Sequence, residues 1–310
     1  MKDKKINAIC FAILAAIFYA INIPCSKVLL KIVQPTMMAG LLYLGAGIGI
    51  GFIFIFSLRK QEKAELLSKH DLPYTAGMVL LDILAPILLM YGLQNTTSAN
   101  ASLLNNFEIA ATTVIALFIF KETVSGKLWA AIIFVTVASV ILSFDNSSDL
   151  KFSWGSLLIL AADVCWGFEN NCTRNISSKS VYEIVTIKGL CSGIGSLTIG
   201  FVIGEKMPSA GYIFIVMLLG FVAYGMSITF YIMAQKELGA AKTSAYYAIA
   251  PFAGAFLSFV VLKEHFTIKY FIALVFMIAG SILVTRDTLQ MKPGNAYLHN
   301  VTHTSDTLHN

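Results

Sequence analysis

The apolar residues of this chain come in long runs of about 18–24, each enough for a helix to cross about 30 Å of hydrocarbon. Strands of a membrane barrel would be shorter and alternate in polarity, and these runs do not alternate. With no water in lipid to satisfy the backbone, each run is predicted to be a helix. Ten spans are expected: Asn7–Leu30, Thr36–Leu58, Pro73–Leu93, Thr97–Phe120, Gly126–Phe144, Ser153–Cys172, Val181–Ile203, Gly211–Gln235, Ala240–Leu262 and Ile268–Thr285. The connections are short, polar, and marked by Pro or Gly. The longest, Arg59–Leu72, has the composition of a short surface helix.

The second half of the chain repeats the first. Phe120-Lys121-Glu122 through Asp145 aligns without a gap on Leu262-Lys263-Glu264 through Asp287, and Ala99–Ser102 meets Ala241–Ser244 at the same offset. Tyr19-Ala20, Asn22, Cys25, Ser26 and Lys27 likewise match Trp166-Gly167, Glu169, Cys172, Thr173 and Arg174. Each half then holds five spans, and an odd number turns the second half upside down relative to the first. The fold class expected is an all-α polytopic membrane protein, ten transmembrane helices in a 5+5 inverted repeat, a signature of alternating-access transporters. The expected divisions are residues 1–145, residues 146–290 and a flexible polar tail over 291–310.

Charge orients the spans. One side of the membrane receives Lys2, Lys4, Lys5, Arg59, Lys60, Lys63, Lys69, Lys121, Lys127, Arg174, Lys179, Lys236, Arg286 and Lys292. The other receives Lys31, Lys151, Lys206, Lys263 and Lys269. The richer side is expected to be cytoplasmic, with both termini on it. The net charge of +5 is therefore explained by topology and calls for no nucleic acid. No signal-peptide cleavage pattern is evident, so the first run is expected to stay as a span. The chain is 57% hydrophobic and 13% charged, against about 25% charged for a soluble domain. Cys10, Cys25, Cys165, Cys172 and Cys191 lie in apolar segments without CxxC spacing and are read as packing residues, with no disulfide.

The stretches AIFYAINIPCSKVLLK (16–31) and AADVCWGFENNCTR (161–174), with the Lys-Glu turns at Lys121-Glu122 and Lys263-Glu264, resemble the drug/metabolite transporter superfamily in its EamA-type form, over about residues 5–288. Trp166, Gly167, Asn170, Asn171 and Arg174 resemble one of its subgroups. The resemblance implies an inner-membrane protein that moves small metabolites. It also implies a central cavity lined by the third, fourth, eighth and ninth spans, with contributions from the first and sixth. It leaves the substrate open.

A charge at the bilayer centre costs about 3 kcal/mol or more and usually faces the interior, where it works. Counting about 1.5 Å per residue, Asp82, Glu108 and Asp163 fall near the midplane. Asn105, Glu108 and Thr112 recur at helical spacing on the fourth span and are the expected binding wall. Trp166, Asn170, Tyr224 and Tyr247, the last matching Asn105 in the second half, complete the candidate substrate-binding set. Pro86 and Pro251 free carbonyls and mark candidate bends. Glu169 and Lys188 lie at matching depth from one face and are expected to form a structural ion pair. Lys27 and Arg174 are expected to snorkel to the interfaces. The runs Gly45–Gly51 and Gly189–Gly195 are read as close-packing faces. His299, His303 and His309 sit in the polar tail and are read as solvated, so no metal and no cofactor is expected.

No GxxxxGK[ST] loop is present, and every histidine (His70, His265 and the three in the tail) lies outside the spans. Direct ATP use and an enzymatic role are therefore not expected. The expected activity is secondary active transport by alternating access, as an exporter, of a small polar or amphipathic metabolite, an amino acid or amine. Protons are the candidate coupling ion. The alternative is a membrane-integral receptor or scaffold that does not transport.

Overall fold

The computed structural model describes residues 2–59, 65–119, 125–144, 153–177, 179–238, 243, 246–265 and 267–290. Among these the fold is all helical: α1 (Lys2–Ala20), α2 (Asn22–Leu29), α3 (Pro35–Arg59), α4 (Leu72–Gln94), α5 (Ser98–Leu104), α6 (Phe107–Phe118), α7 (Gly126–Ser143), α8 (Trp154–Asn175), α9 (Val181–Val202), α10 (Ala210–Gly220), a π-helical segment (Phe221–Met226), α11 (Ser227–Leu238), α12 (Ala250–Leu262) and α13 (Ile268–Gln290). Eight of the described segments are long and apolar enough to span a membrane. The expected sixth span is α8, long enough at 22 residues but made less apolar by its own Asp, Glu and Asn residues. The expected ninth is α12, described from Ala250 as a shorter apolar helix. The Lys121-Glu122 turn, most of Ala241–Ser244, Lys60, Lys63 and the tail over 291–310 lie outside the described residues.

Local chemistry sets the helix ends. Pro35 opens α3, where a missing N–H costs nothing. Thr97, Ser125 and Ser153 precede α5, α7 and α8, and their hydroxyls accept from Asn100 N, Leu128 N and Ser156 N, satisfying donors that the first turn leaves free. Residues 65–68 carry no regular structure, and Lys69–Asp71 form a single 3-10 turn, so this part of the Arg59–Leu72 connection is not the surface helix expected. Helix α4 runs unbroken through Pro86.

The packing obeys the repeat. Helices α3 and α9 are mates, the second elements of the two halves, and they run antiparallel. Thr36 lies against Gly200, Gly40 against Gly193, Gly47 against Gly189 and Gly51 against Thr186. A Cβ on Gly189 would lie 2.4 Å from the Gly47 backbone, so both positions exclude any side chain, and the glycine runs are the close-packing faces expected. The other mates meet in the same sense: Ser98 with Ser258 and Ser102 with Gly254, and Phe134 with Phe276 and Ala131 with Gly280. The α4·α8 contact is mirrored by α11·α1, and α6·α8 by α12·α1. The halves are therefore related by a two-fold axis in the membrane plane. The face from which α1 starts is the near face, and the opposite one the far face.

Helix α1 is interrupted at Ile21, two residues before Ile23-Pro24. The fourth span breaks at Asn105-Asn106, and the eighth passes through the π-helical segment. All three irregularities lie at mid-depth and border one polar cluster, and π segments within helices are often found at functional sites.

Candidate functional site

The centre holds two related arms. In the first, Lys188 Nζ of α9 lies 3.0 Å from Glu169 Oε1 and 3.1 Å from Asp82 Oδ2. The Tyr43 hydroxyl donates to Asp82 Oδ1 at 2.9 Å, and Trp166 Nε1 donates to the Tyr43 hydroxyl at 3.4 Å. Asp82 is fully buried and Glu169 is 2% exposed. The expected Glu169–Lys188 pair is present, and Asp82 is its third member. Thr173 adds a hydroxyl hydrogen bond to Glu169.

In the second arm, Asn22 Nδ2 donates to the Tyr224 hydroxyl at 2.9 Å, and Ser26 donates to Asn22 Oδ1 at 3.1 Å. The register that aligns Lys121 with Lys263 sets Asp82 against Tyr224, and the match of the first and sixth spans sets Glu169 against Asn22. One arm is therefore charged and its mate neutral. The rings of Tyr43 and Tyr224 join the two arms at 5.3 Å.

Toward the near face, Asn170 Nδ2 of α8 donates to Glu108 Oε1 at 2.6 Å and to Thr112 Oγ1 at 3.3 Å. Asn171 Nδ2 donates to Thr112 O at 3.1 Å. This approach is possible because Gly167 lies against the α6 backbone, where an added Cβ would sit 2.9 Å from Thr112 N. Glu108, Thr112, Asn170, Tyr19 and Tyr247 are all partly exposed. Tyr19 lies 6.0 Å from both Tyr224 and Tyr247, and Tyr231 packs edge-on to Tyr247 at 5.1 Å.

The break in the helix after Leu104 separates Asn105 from Glu108 and Thr112. Asn105 lines a recess of about 10 Å³ with Tyr19, Ile23, Pro251 and Gly254, and neither polar atom of its side chain has a partner among the described residues. Asp163 is fully buried, again without a partner for either oxygen among those residues. The expected wall of Asn105, Glu108 and Thr112 is therefore split: Glu108 and Thr112 meet Asn170, and Asn105 lies apart beside Tyr19.

At the far end, helix ends are tied together by contacts that composition does not announce. Lys27 Nζ donates to Leu93 O, Gln94 O and Thr96 O at 2.6, 3.2 and 2.7 Å. It holds free carbonyls at the end of α4 and in the turn that follows rather than snorkelling. Glu264 accepts from Ser98 N and Ala99 N at 2.7 and 2.8 Å. Glu205 accepts from Thr36 N, Met37 N and the Tyr91 hydroxyl at 3.2, 2.8 and 2.9 Å. A polar hollow of about 330 Å³ lies just outside, lined by Asn95, Thr97, Asn100 and Lys269 among others. At the near end, Lys179 pairs with Glu65 at 2.6 Å, which holds its pKa above the ordinary lysine value. Glu183 accepts from Leu67 N at 2.8 Å.

The sequence description of the EamA-like transporter family matches the chain over residues 6–144 and 153–286. An uncharacterized transporter of Methanothermobacter thermautotrophicus is 27% identical over 88% of this chain and 84% of its own length. An uncharacterized transporter of Clostridium kluyveri is 24% identical over 88% and 91%. The uncharacterized transporter YyaM of Bacillus subtilis is 26% identical over 64% and 65%. A solved structure described only as the crystal structure of a protein superposes with a TM-score of 0.65 at 14% identity, covering 93% of this chain and 98% of that one. It shares the fold.

Proposed function

The chain belongs to the EamA-like transporter family, and from that premise we propose that it is a secondary active transporter that exports a small ammonium-bearing metabolite, an amino acid or amine, by alternating access. The reading places it in the cytoplasmic membrane, the near face and both termini inside, as the excess of Lys and Arg on that side favours. It takes residues 1–145 and 146–290 as the two moving halves.

What supports the reading, among the described residues, is the closure of the fourth helix on the ninth toward the far face beside a partly exposed Glu108 on the near side. Toward the far face, Ser98 and Ser258 touch at 2.7 Å and Ser102 lies against Gly254. Toward the near face, α6 packs on α7 and α8, and Glu108, Thr112 and Asn170 remain partly exposed. An inverted repeat closed at one end is one half of an alternating cycle, because exchanging the conformations of the halves closes the other end. In the export reading the substrate loads in this state, from inside.

Glu108 is the group best placed to hold an ammonium, and the tyrosines beside it give a cation further attraction through their ring faces. Asp82 is engaged by Lys188 and Tyr43, so its role is to hold the arm. The test is a panel of radiolabelled amino acids and amines offered to inside-out vesicles. At least one is expected to accumulate, and Glu108→Gln is expected to lower that accumulation by tenfold or more with membrane insertion unchanged. A variant that transports at the wild-type rate would remove Glu108 from the site.

A further inference from the structure

Helix α1 ends at Ala20, and α2 starts at Asn22. Pro24 stands four residues after Ala20. It has no N–H, so Ala20 O is left without its helical donor. That residue borders the recess between the α1 break, α5 and α12. A Cβ added to Gly254 of α12 would sit 3.2 Å from Ala20 O and 3.1 Å from Ser102 Oγ, so one point in front of the glycine reaches both oxygens. Asn105 completes the wall. Ser102 is 1% exposed and Asn105 6%. Among the described residues, Ser102 Oγ and both polar atoms of Asn105 have no hydrogen-bond partner. Three buried oxygens are thus gathered round a space of about 10 Å³, roughly the room that one water-sized particle needs.

The donor set selects the occupant. Among the described residues no Asp, Glu, His or Cys lines the recess, so a divalent or transition-metal ion finds none of the ligands it prefers. A carbonyl, an amide oxygen and a hydroxyl suit a hard monovalent ion, and broken helices at mid-membrane depth supply such oxygens. The surroundings are acidic. Among the described residues Asp82, Glu108, Asp163 and Glu169 are gathered at the centre with one lysine, Lys188. Tyr19, on the recess wall, lies within electrostatic reach of Glu108 and Asp163. Water would fill the space, but only a cation offsets that excess of acid. The second half is built differently. There Gly167 matches Ala20, Asn171 matches Pro24 and Tyr247 matches Asn105. Helix α8 runs unbroken through the matching stretch, and the Asn171 side chain donates to Gly167 O at 2.8 Å. Tyr247 brings a ring in place of the amide.

We propose that this recess binds one alkali-metal ion, sodium or potassium, held by Ala20 O, Ser102 Oγ and Asn105 Oδ1 while the far end is closed. The Gly254 wall exists only while α12 meets α5, and Ser98 meets Ser258 one turn farther out. Ion binding and far-end closure therefore favour each other, by the same factor in either direction. The site belongs to the first half alone, so opening the far end exposes the ion and opening the near end does not. It requires neither a particular metabolite nor a substrate contact at Glu108.

The experiment titrates purified full-length protein in choline chloride with sodium chloride or potassium chloride at constant ionic strength, and follows the unfolding midpoint. At least one of the two salts is expected to raise the midpoint and to saturate, as a ligand of the folded state does. Radioactive sodium, or rubidium in place of potassium, identifies the ion and is expected to bind at about one per chain. Ser102→Ala removes one ligand oxygen and is expected to weaken that binding tenfold or more, with the midpoint in choline unchanged. Gly254→Ala puts a methyl group among the oxygens and is expected to abolish it. In Ser98→Cys/Ser258→Cys, the binding salt is expected to speed cross-linking several-fold over choline. A midpoint that is the same in all three salts means that the recess holds water alone and overturns the site. Ion binding undiminished in both variants puts the ion elsewhere and overturns it as well. Cross-linking at one rate in every salt overturns the link to far-end closure.

Discussion

Lys188 neutralises two carboxylates at once, so its removal is the most severe single change expected in the core. In Lys188→Met, Asp82 retains the Tyr43 hydroxyl and Glu169 the Thr173 hydroxyl, but both buried acids lose their cation. Breaking a buried pair by removing one partner costs about 3–5 kcal/mol, whereas replacing the whole group by neutral side chains is often close to cost-free. At about 2–4 °C per kcal/mol, the single variant is expected to unfold on the order of 10 °C below wild type. The triple variant Lys188→Met/Asp82→Asn/Glu169→Gln is expected to recover most of the difference. The unfolding midpoint in detergent can be followed with a thiol-reactive dye, since Cys165 and Cys172 are partly covered. A single variant as stable as wild type, or a triple variant as unstable as the single, would refute the reasoning.

Gly47→Leu is expected to abolish folded, monodisperse protein, because even a Cβ added there would lie 2.5 Å from Leu190 N; size-exclusion chromatography of a fluorescent fusion reads the loss. Lys27→Met removes two hydrogen bonds to the end of α4 and one to the turn that follows it and is expected to loosen the far end, raising alkylation of a cysteine placed at Asn100 by several-fold with little change in expression.

Much of the fold was legible because lipid leaves the chain few options. Runs of the right length had to be helices, and the gapless match of Lys121–Asp145 with Lys263–Asp287 required the inversion that the antiparallel contact of α3 with α9 displays. Depth could be read from residue rise, which is how Glu169 and Lys188 found each other. Rotation about the helix axis was harder. Asp82 lies at the same height as the wall residues but turns toward Lys188 and Tyr43, and Tyr43 carries no signal within its apolar, glycine-rich helix. The break at Asn105-Asn106 was legible in principle, since paired Asn residues compete for the backbone and favour turns, but the helical spacing of Asn105, Glu108 and Thr112 concealed it. Lys27, Glu205 and Glu264 stand at loop edges, where composition suggests only solvation. Their partners are backbone groups at the ends of other helices, and no side-chain pattern reveals those.

Ser98 and Ser258 offer the most direct test of the alternating account. With the five native cysteines replaced and activity retained, Ser98→Cys/Ser258→Cys places thiols where the two hydroxyls now touch at 2.7 Å. The account predicts that oxidation forms the cross-link, stops transport, and that reduction restores it, because the far end must open in every cycle. Full-rate transport by the cross-linked protein would contradict it.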